Sequence, residues 1–214
     1  MKVLIITGGK VESNLLKEYL KSHSYDYIIA ADGGGAYAKE IGITPNLLLG
    51  DFDTLDKQVL KEYQEMGVEF MTFPPEKDYT DTHLALTTAL AKNPEQITIF
   101  GATGTRLDHT LANIGLLTLA VHADVKAEII DQNNRIQMIK NHLTIRKEDA
   151  WGDYISLLPY TEKVAGIDLE GFLYPLHKAE LTIGISRGIS NELVKEQGTI
   201  SIESGLLLVI ESRD

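Results

Sequence analysis

The chain has 214 residues, with 31 acidic side chains against 20 basic ones and a formal net charge of −11. An acidic surface is repelled by nucleic-acid phosphates, and no Lys/Arg stripe offsets that, so a nucleic-acid partner is not expected. The lack of any cysteine excludes disulfides, thiolate metal sites and a cysteine nucleophile, and no run approaches the ~20 apolar residues of a membrane helix.

The opening residues MKVLIITGG carry one Lys and an apolar run too short for a secretory signal core. They read as a first buried strand over 3–6 and its turn, and a cytoplasmic protein is expected. Residues 13–22 have amphipathic helical spacing, 27–31 reads as a strand, and Asp32-Gly33-Gly34-Gly35 as the turn after it. A helix over 36–41 and the apolar Leu47-Leu48-Leu49 follow, leading into Gly50-Asp51. Helix 56–66, strand 68–73, helix 80–91, strand 97–100 and helix 108–121 complete the alternation. Strands alternating with helices predict a parallel sheet covered on both faces.

The pattern changes after about Asp131. Short strand-like runs at 135–140, 154–158, 163–169, 179–185, 199–203 and 206–211 are separated by turn residues, which predicts an antiparallel sandwich or barrel. The expected fold is therefore an α/β domain on a Rossmann-like parallel sheet (1–132) followed by an all-β sandwich domain (133–214).

Five loops carry candidate chemistry. Gly50-Asp51-Phe52-Asp53-Thr54 follows an apolar strand, and its two carboxylates are hard oxygen donors suited to magnesium. The same residues also read as a turn in which Asp53 or Thr54 caps a helix. In Lys77-Asp78-Tyr79-Thr80-Asp81, Thr80 is a candidate helix cap, while Lys77 with two carboxylates suits phosphate plus metal. In the loop 101–109, glycines and a helix start favour an anion, and Arg106 adds a planar donor fork. The glycines of Asp32-Gly33-Gly34 permit close approach of a ligand, and Asp32 could accept from a hydroxyl. The loop 184–192 lies between strands of the second domain. Six histidines show no metal-ligand spacing, so zinc is not expected. Loops that follow parallel strands converge on one edge of the sheet, where ligands of open α/β folds bind.

Taken in order, Asp32-Gly33-Gly34, Gly50-Asp51-Phe52-Asp53, Lys77-Asp78 through Thr80-Asp81, Arg106-Leu107-Asp108-His109 and Ser190-Asn191-Glu192 resemble the bacterial thiamin pyrophosphokinase family over essentially the full length. Thr54 stands where serine is expected, and His83 where an acidic residue is common. The resemblance implies transfer of the pyrophosphoryl group of ATP to the hydroxyl of thiamin, with release of AMP, by a homodimer with sites at the subunit interface. It implies that Asp51, Asp53 and Asp81 hold Mg2+ ions on the ATP phosphates, with Asp78 beside them. Lys77 and Arg106 would contact phosphate oxygens, and Asp32, Gly33, Gly34, Thr80, Asp108 and His109 would belong to the nucleotide site. Ser190 and Asn191 would contact thiamin, and either Asp53 or Asp78 could take the hydroxyl proton. Trp151, the single tryptophan, reads as a packing residue that could also stack on a thiamin ring.

Two other classes are weighed against this. A phosphatase with an aspartate nucleophile also uses Asp-x-Asp after a strand, but the position that wants Thr or Val is Leu55 here. A non-catalytic ATP sensor would not need so many carboxylates at one edge, since each must be neutralised or solvated.

Overall fold

The computed structural model describes residues 1–53, 55–73 and 78–214, which divide into two compact units, Met1–Gln132 and Asn133–Asp214. In the first, the chain runs β1 (Lys2–Ile6), α1 (Ser13–Ser22), β2 (Tyr27–Ala31), α2 (Gly34–Ile41), β3 (Leu47–Gly50) and α3 (Lys57–Glu65). It continues through β4 (Glu69–Thr72), α4 (Asp81–Leu90), β5 (Gln96–Phe100), α5 (Leu107–His122) and β6 (Lys126–Ile130).

These six strands form a parallel sheet in the order β4-β3-β2-β1-β5-β6. Val3 to Ile6, Ile29 to Ala31, Leu47 to Leu49 and Ile97 are wholly or almost wholly buried, as continuous apolar strands with helices on both faces must be. The order has one consequence for function. The chain lays β2, β3 and β4 outward on one side of β1, then returns to place β5 and β6 on the other. The connections out of β1 and β5 therefore part in opposite directions, and a crevice opens over their carboxyl ends. Registers such as Ile6 opposite both Ala30 and Phe100, and Ala31 opposite Leu49, keep the strand ends nearly level, so the loops share one rim.

Three departures from the expected elements have local causes. Gly34 and Gly35 belong to the first turn of α2 rather than to a preceding turn, because the helix starts pressed against the sheet: a Cβ on Gly34 would lie 2.6 Å from the carbonyl carbon of Ile6. Strand β6 was not evident because Glu128 interrupts its apolar run. That carboxylate is nevertheless buried, accepting from Thr98 Oγ1 at 2.9 Å and Gln96 Nε2 at 3.2 Å. Helix α3 is capped by Asp56, whose carboxylate accepts from Gln58 N at 2.7 Å, so neither Asp53 nor Thr54 is needed as the cap. Thr54 itself lies outside the described residues.

Tyr63 of α3 is buried and donates to Gly35 O at 2.9 Å. Burial pushes its phenol up to about 12. Tyr63→Phe leaves that carbonyl without the bond and is expected to cost about 1 kcal/mol in chemical denaturation, with m unchanged.

The second unit holds β7 (Asn134–Ile139), β8 (His142–Arg146), β9 (Tyr154–Pro159), β10 (Lys163–Glu170), β11 (Leu176–Thr182), β12 (Gln197–Ser201) and β13 (Leu207–Ser212). Strands pair antiparallel as β7-β13-β9 and as β11-β10-β12-β8. Ile155, Leu157, Leu207 and Val209 of the first set pack with Val164, Ile167, Leu181 and Ile200 of the second in one buried cluster, which makes a sandwich. Strand β8 was not anticipated, since only Ile145 of its sequence HLTIR is buried. Strand β11 ends at Thr182, three residues before the expected limit, and leaves Ile183 and Ile185 exposed.

Candidate active site

Asp32 leaves β2 in the left-handed region (φ 48), which aspartate tolerates better than most side chains. Its N–H donates to Leu49 O at 2.8 Å and its carbonyl accepts from Gly35 N at 3.1 Å, so the residue is held between β3 and α2.

Asp51 and Asp53 are set by Phe52. That residue also has positive φ (60), and its ring packs against Phe70 at 5.5 Å beside buried Leu48, Leu55 and Tyr63. With Phe52 turned into the core, its two neighbours turn out to the rim, and Asp53 N donates to Asp51 Oδ1 at 3.2 Å. Carboxylate oxygens of Asp32, Asp51 and Asp53 all lie within 4.8 Å of one another. Three like charges so close repel, and hard oxygens gathered at one point can hold a divalent cation such as Mg2+.

Helix α4 supplies the next acid. Thr80 is its N-cap, accepting from His83 N at 3.2 Å, and Asp81 lies in its first turn. Asp81 is half-buried against β3: its Oδ1 is 3.6 Å from where a Cβ on Gly50 would stand. Asp78 is exposed just before the cap, and Lys77 lies outside the described residues.

The loop after β5 forms the other side of the crevice. Thr7 Oγ1 donates to Gly101 O at 2.5 Å, Gly9 N to the same oxygen at 2.9 Å and Asn113 Nδ2 to Ala102 O at 2.7 Å. Arg106 grips Asp108 through two bonds, Nη2–Oδ2 at 2.6 Å and Nε–Oδ1 at 3.2 Å. The Asp108 carboxylate also accepts from His109 N at 2.9 Å. With the guanidinium first and this backbone donor second, the carboxyl is held down to about 2. Its contribution to stability is present above the ordinary carboxylate range and is lost as pH falls toward that value. A carbon-detected NMR titration should find its midpoint near 2 in the native chain and clearly higher in Arg106→Gln.

The loops after β1, β2 and β5, with the start of α4, form a cavity of about 530 Å³ in the first unit, lined among others by Asp32, Tyr37, Thr80, Asp81, Arg106 and His109; Asp51 and Asp53 adjoin it through their approach to Asp32. Gly8, Lys10 and Asn113 also line the cavity, and like Tyr37 they belong to no motif of the sequence. Their signal is topological: residues 8–10 leave the central strand, and Asn113 lies nearly two turns into the helix after β5.

The thiamin pyrophosphokinase catalytic domain matches residues 16–129, and the thiamin pyrophosphokinase vitamin B1 binding domain matches residues 140–207. The chain belongs to the thiamin pyrophosphokinase family. Thiamine pyrophosphokinase of Bacillus subtilis is 37% identical over 213 residues, spanning 98% of both chains. The crystal structure of thiamine pyrophosphokinase from Bacillus subtilis superposes with a TM-score of 0.90 at 35% identity, each chain fully covered. Thiamin pyrophosphokinase from Geobacillus thermodenitrificans gives 0.87 at 34% identity, covering 100% of this chain and 98% of that one. Family members are kinases that transfer pyrophosphate from ATP to thiamin.

Within the B1-binding match, Ser190 and Asn191 have different surroundings. Asn191 is buried, and its side chain is spent on the fold: Oδ1 accepts from Tyr174 N and Glu192 N, and Nδ2 donates to Tyr174 O at 2.8 Å. Ser190 is exposed at positive φ (56), with its N–H donating to Ser156 Oγ at 3.0 Å. Trp151 is flanked by Arg213 and Arg135 at 4.9 and 5.5 Å from its ring, and its backbone N–H donates to Oε2 of buried Glu211 at 2.9 Å. Those contacts make it part of the packing of the sandwich edge.

Proposed function

We propose that this chain transfers the pyrophosphoryl group of ATP to the hydroxyl of thiamin, giving thiamin diphosphate and AMP. The observation that carries the reading is the convergence of Asp51 and Asp53 on Asp32, which lines the cleft, in a chain of this family. Thiamin's hydroxyl oxygen forms a bond to the β-phosphorus of ATP. The bond from that phosphorus to the α–β bridging oxygen breaks, and AMP leaves with the bridging oxygen. The hydroxyl proton passes to a carboxylate, either Asp53 or Asp78, the exposed acids of the set. Such a transfer depends on in-line positioning and charge neutralisation more than on covalent help.

The donor set fits Mg2+: Asp32, Asp51 and Asp53 would hold it, with Asp81 and Asp78 as further ligands. The ion would neutralise phosphate oxygens. Thr80 fixes the start of α4 and so the placement of Asp81, while Gly33 lets the backbone approach the nucleotide and Gly34 lets α2 start flush on β1 beside it. Arg106 and His109, which line the cleft, would contact the phosphates, with Asp108 orienting Arg106, and Lys77 is assigned to them from the family motif alone. In the B1-binding domain Ser190 contacts thiamin, and Asn191 positions it by fixing the surrounding loops.

A homodimer is part of the proposal. Leu173, Tyr174, Ile183, Ile185, Ile189 and Val194 are all at least 45% exposed, an apolar surface that a second copy would cover. Cytoplasmic residence fits the lack of cysteine, and no helix of the described residues is long and apolar enough to cross a membrane.

The test is a mass-resolved assay of the purified chain with ATP, Mg2+ and thiamin. Thiamin diphosphate and AMP in equal amounts are expected. ADP with thiamin monophosphate would make it an ordinary kinase, phosphate release without an acceptor a phosphatase, and ATP binding without turnover a sensor.

A further inference from the structure

We propose that Lys10 is a phosphate-contacting residue of the nucleotide site, an assignment that rests on the pyrophosphokinase reading above. Lys10 precedes the segment matched by the catalytic family, so it stands outside the motifs that carry the resemblance.

The first argument is position. Lys10 leaves the central strand β1 at the point where the sheet order reverses toward β5, which is where the crevice opens. It is one of the cavity-lining residues. Its backbone has little freedom to be elsewhere. Lys10 N donates to Thr103 O at 2.9 Å, and Gly9 lies so flush against the β5 loop that a Cβ there would be 2.6 Å from Thr103 O. The loop is thus stitched to its neighbour at the rim, and the long side chain, 67% exposed, is the part left to move.

The second argument is the ordering of charge along the rim. Loops follow β3, β2, β1 and β5 side by side, and they carry in that order Asp51 and Asp53, then Asp32, then Lys10, then Arg106. A polyphosphate with its metal over the acids at one end presents its remaining oxygens to the cations at the other. Arg106 reaches them already tied to Asp108 by two hydrogen bonds. Lys10 pairs with Glu12 through a single 3.0 Å contact between two exposed groups, and such a pair exchanges for a phosphate at little cost.

The experiment is equilibrium binding of ATP with Mg2+ to the full chain and to Lys10→Ala, Lys10→Arg and Glu12→Gln, alongside thiamin turnover. Lys10→Ala should weaken ATP about fivefold, with the KM for thiamin unchanged. Lys10→Arg, which keeps the charge, should return affinity to within about twofold, and Glu12→Gln, which removes the competing carboxylate, should tighten it about twofold. Unchanged ATP affinity in Lys10→Ala overturns the assignment. Equal weakening in the Ala and Arg variants also overturns it, since that marks a purely structural role. If Lys10→Ala does not fold, Glu12→Gln decides, and no tightening there refutes the assignment. Absence of thiamin diphosphate from the native chain would sink the functional reading instead, while the charge dependence of ATP binding would still report on Lys10.

Discussion

Asp51→Asn and Asp53→Asn should each lower turnover by on the order of a hundredfold or more while leaving the fold intact. The two halves of this expectation come from the same geometry. Asparagine keeps the side-chain oxygen, so at position 51 the bond from Asp53 N, 3.2 Å long, can persist. It also removes one of three carboxylates that crowd within 4.8 Å, which relieves repulsion in the metal-free protein. Thermal melting without Mg2+ should therefore be unchanged or slightly higher. The stabilisation that added Mg2+ gives the native chain, by binding only the folded state, should shrink in both variants. Turnover near that of the native chain with unaltered Mg2+ dependence would remove these residues from the site.

The largest effect on stability is expected at Gly34→Ala. A methyl group there meets main-chain atoms on β1, with the carbonyl carbon of Ile6 at 2.6 Å and the N of Thr7 at 3.1 Å. Backbone in the middle of a buried parallel sheet cannot swing aside as a side chain would, so α2 must lift away from the strand. We expect a loss of about 3 kcal/mol or more, a large share of the 5–15 kcal/mol typical of a whole domain. The control is Gly104→Ala, whose Cβ would meet Lys10 N at an ordinary 3.5 Å, and which should change stability by no more than about 0.5 kcal/mol. Urea denaturation of both variants measures the contrast. Equal stability of Gly34→Ala and the native chain would mean that α2 is not pressed on β1 as described.

The same contact explains why some features were legible in the sequence and others were not. Apolar runs such as Val3 to Ile6 and Leu47 to Leu49 announce buried strands because nothing polar interrupts them, and the loops after them could be placed on one edge. Strand β6 was hidden because Glu128 looks solvent-exposed until Thr98 and Gln96, on the neighbouring strand, are seen to satisfy it. The glycines after Asp32 suggested a turn, since composition does not say whether glycine is needed for dihedral freedom or for closeness; Gly34 and Gly35 are there for closeness, inside a helix.

At the site, the acidic pair around Phe52 was visible as spacing, but its meeting with Asp32 was not. That depends on left-handed backbone at both Asp32 and Phe52 and on the Phe52 ring finding Phe70 of β4, features of segments far apart in the sequence. Asn191 shows the converse. A polar residue in a promising loop turns out to hold Tyr174 and Glu192 with both ends of its amide, so its influence on a ligand would act through Ser190 and the loop shape. Lys10 carried no motif and becomes visible only when the strand order places it over the crevice.

The measurement that tests the central claim most directly follows the phosphorus atoms. The native chain is given thiamin, Mg2+ and ATP carrying distinguishable labels on the β- and γ-phosphates, and the thiamin product is read by mass. Pyrophosphoryl transfer predicts both labels together in thiamin diphosphate and neither in the nucleotide released, which is AMP. Thiamin carrying the γ-label alone, with the β-label retained in ADP, would contradict it.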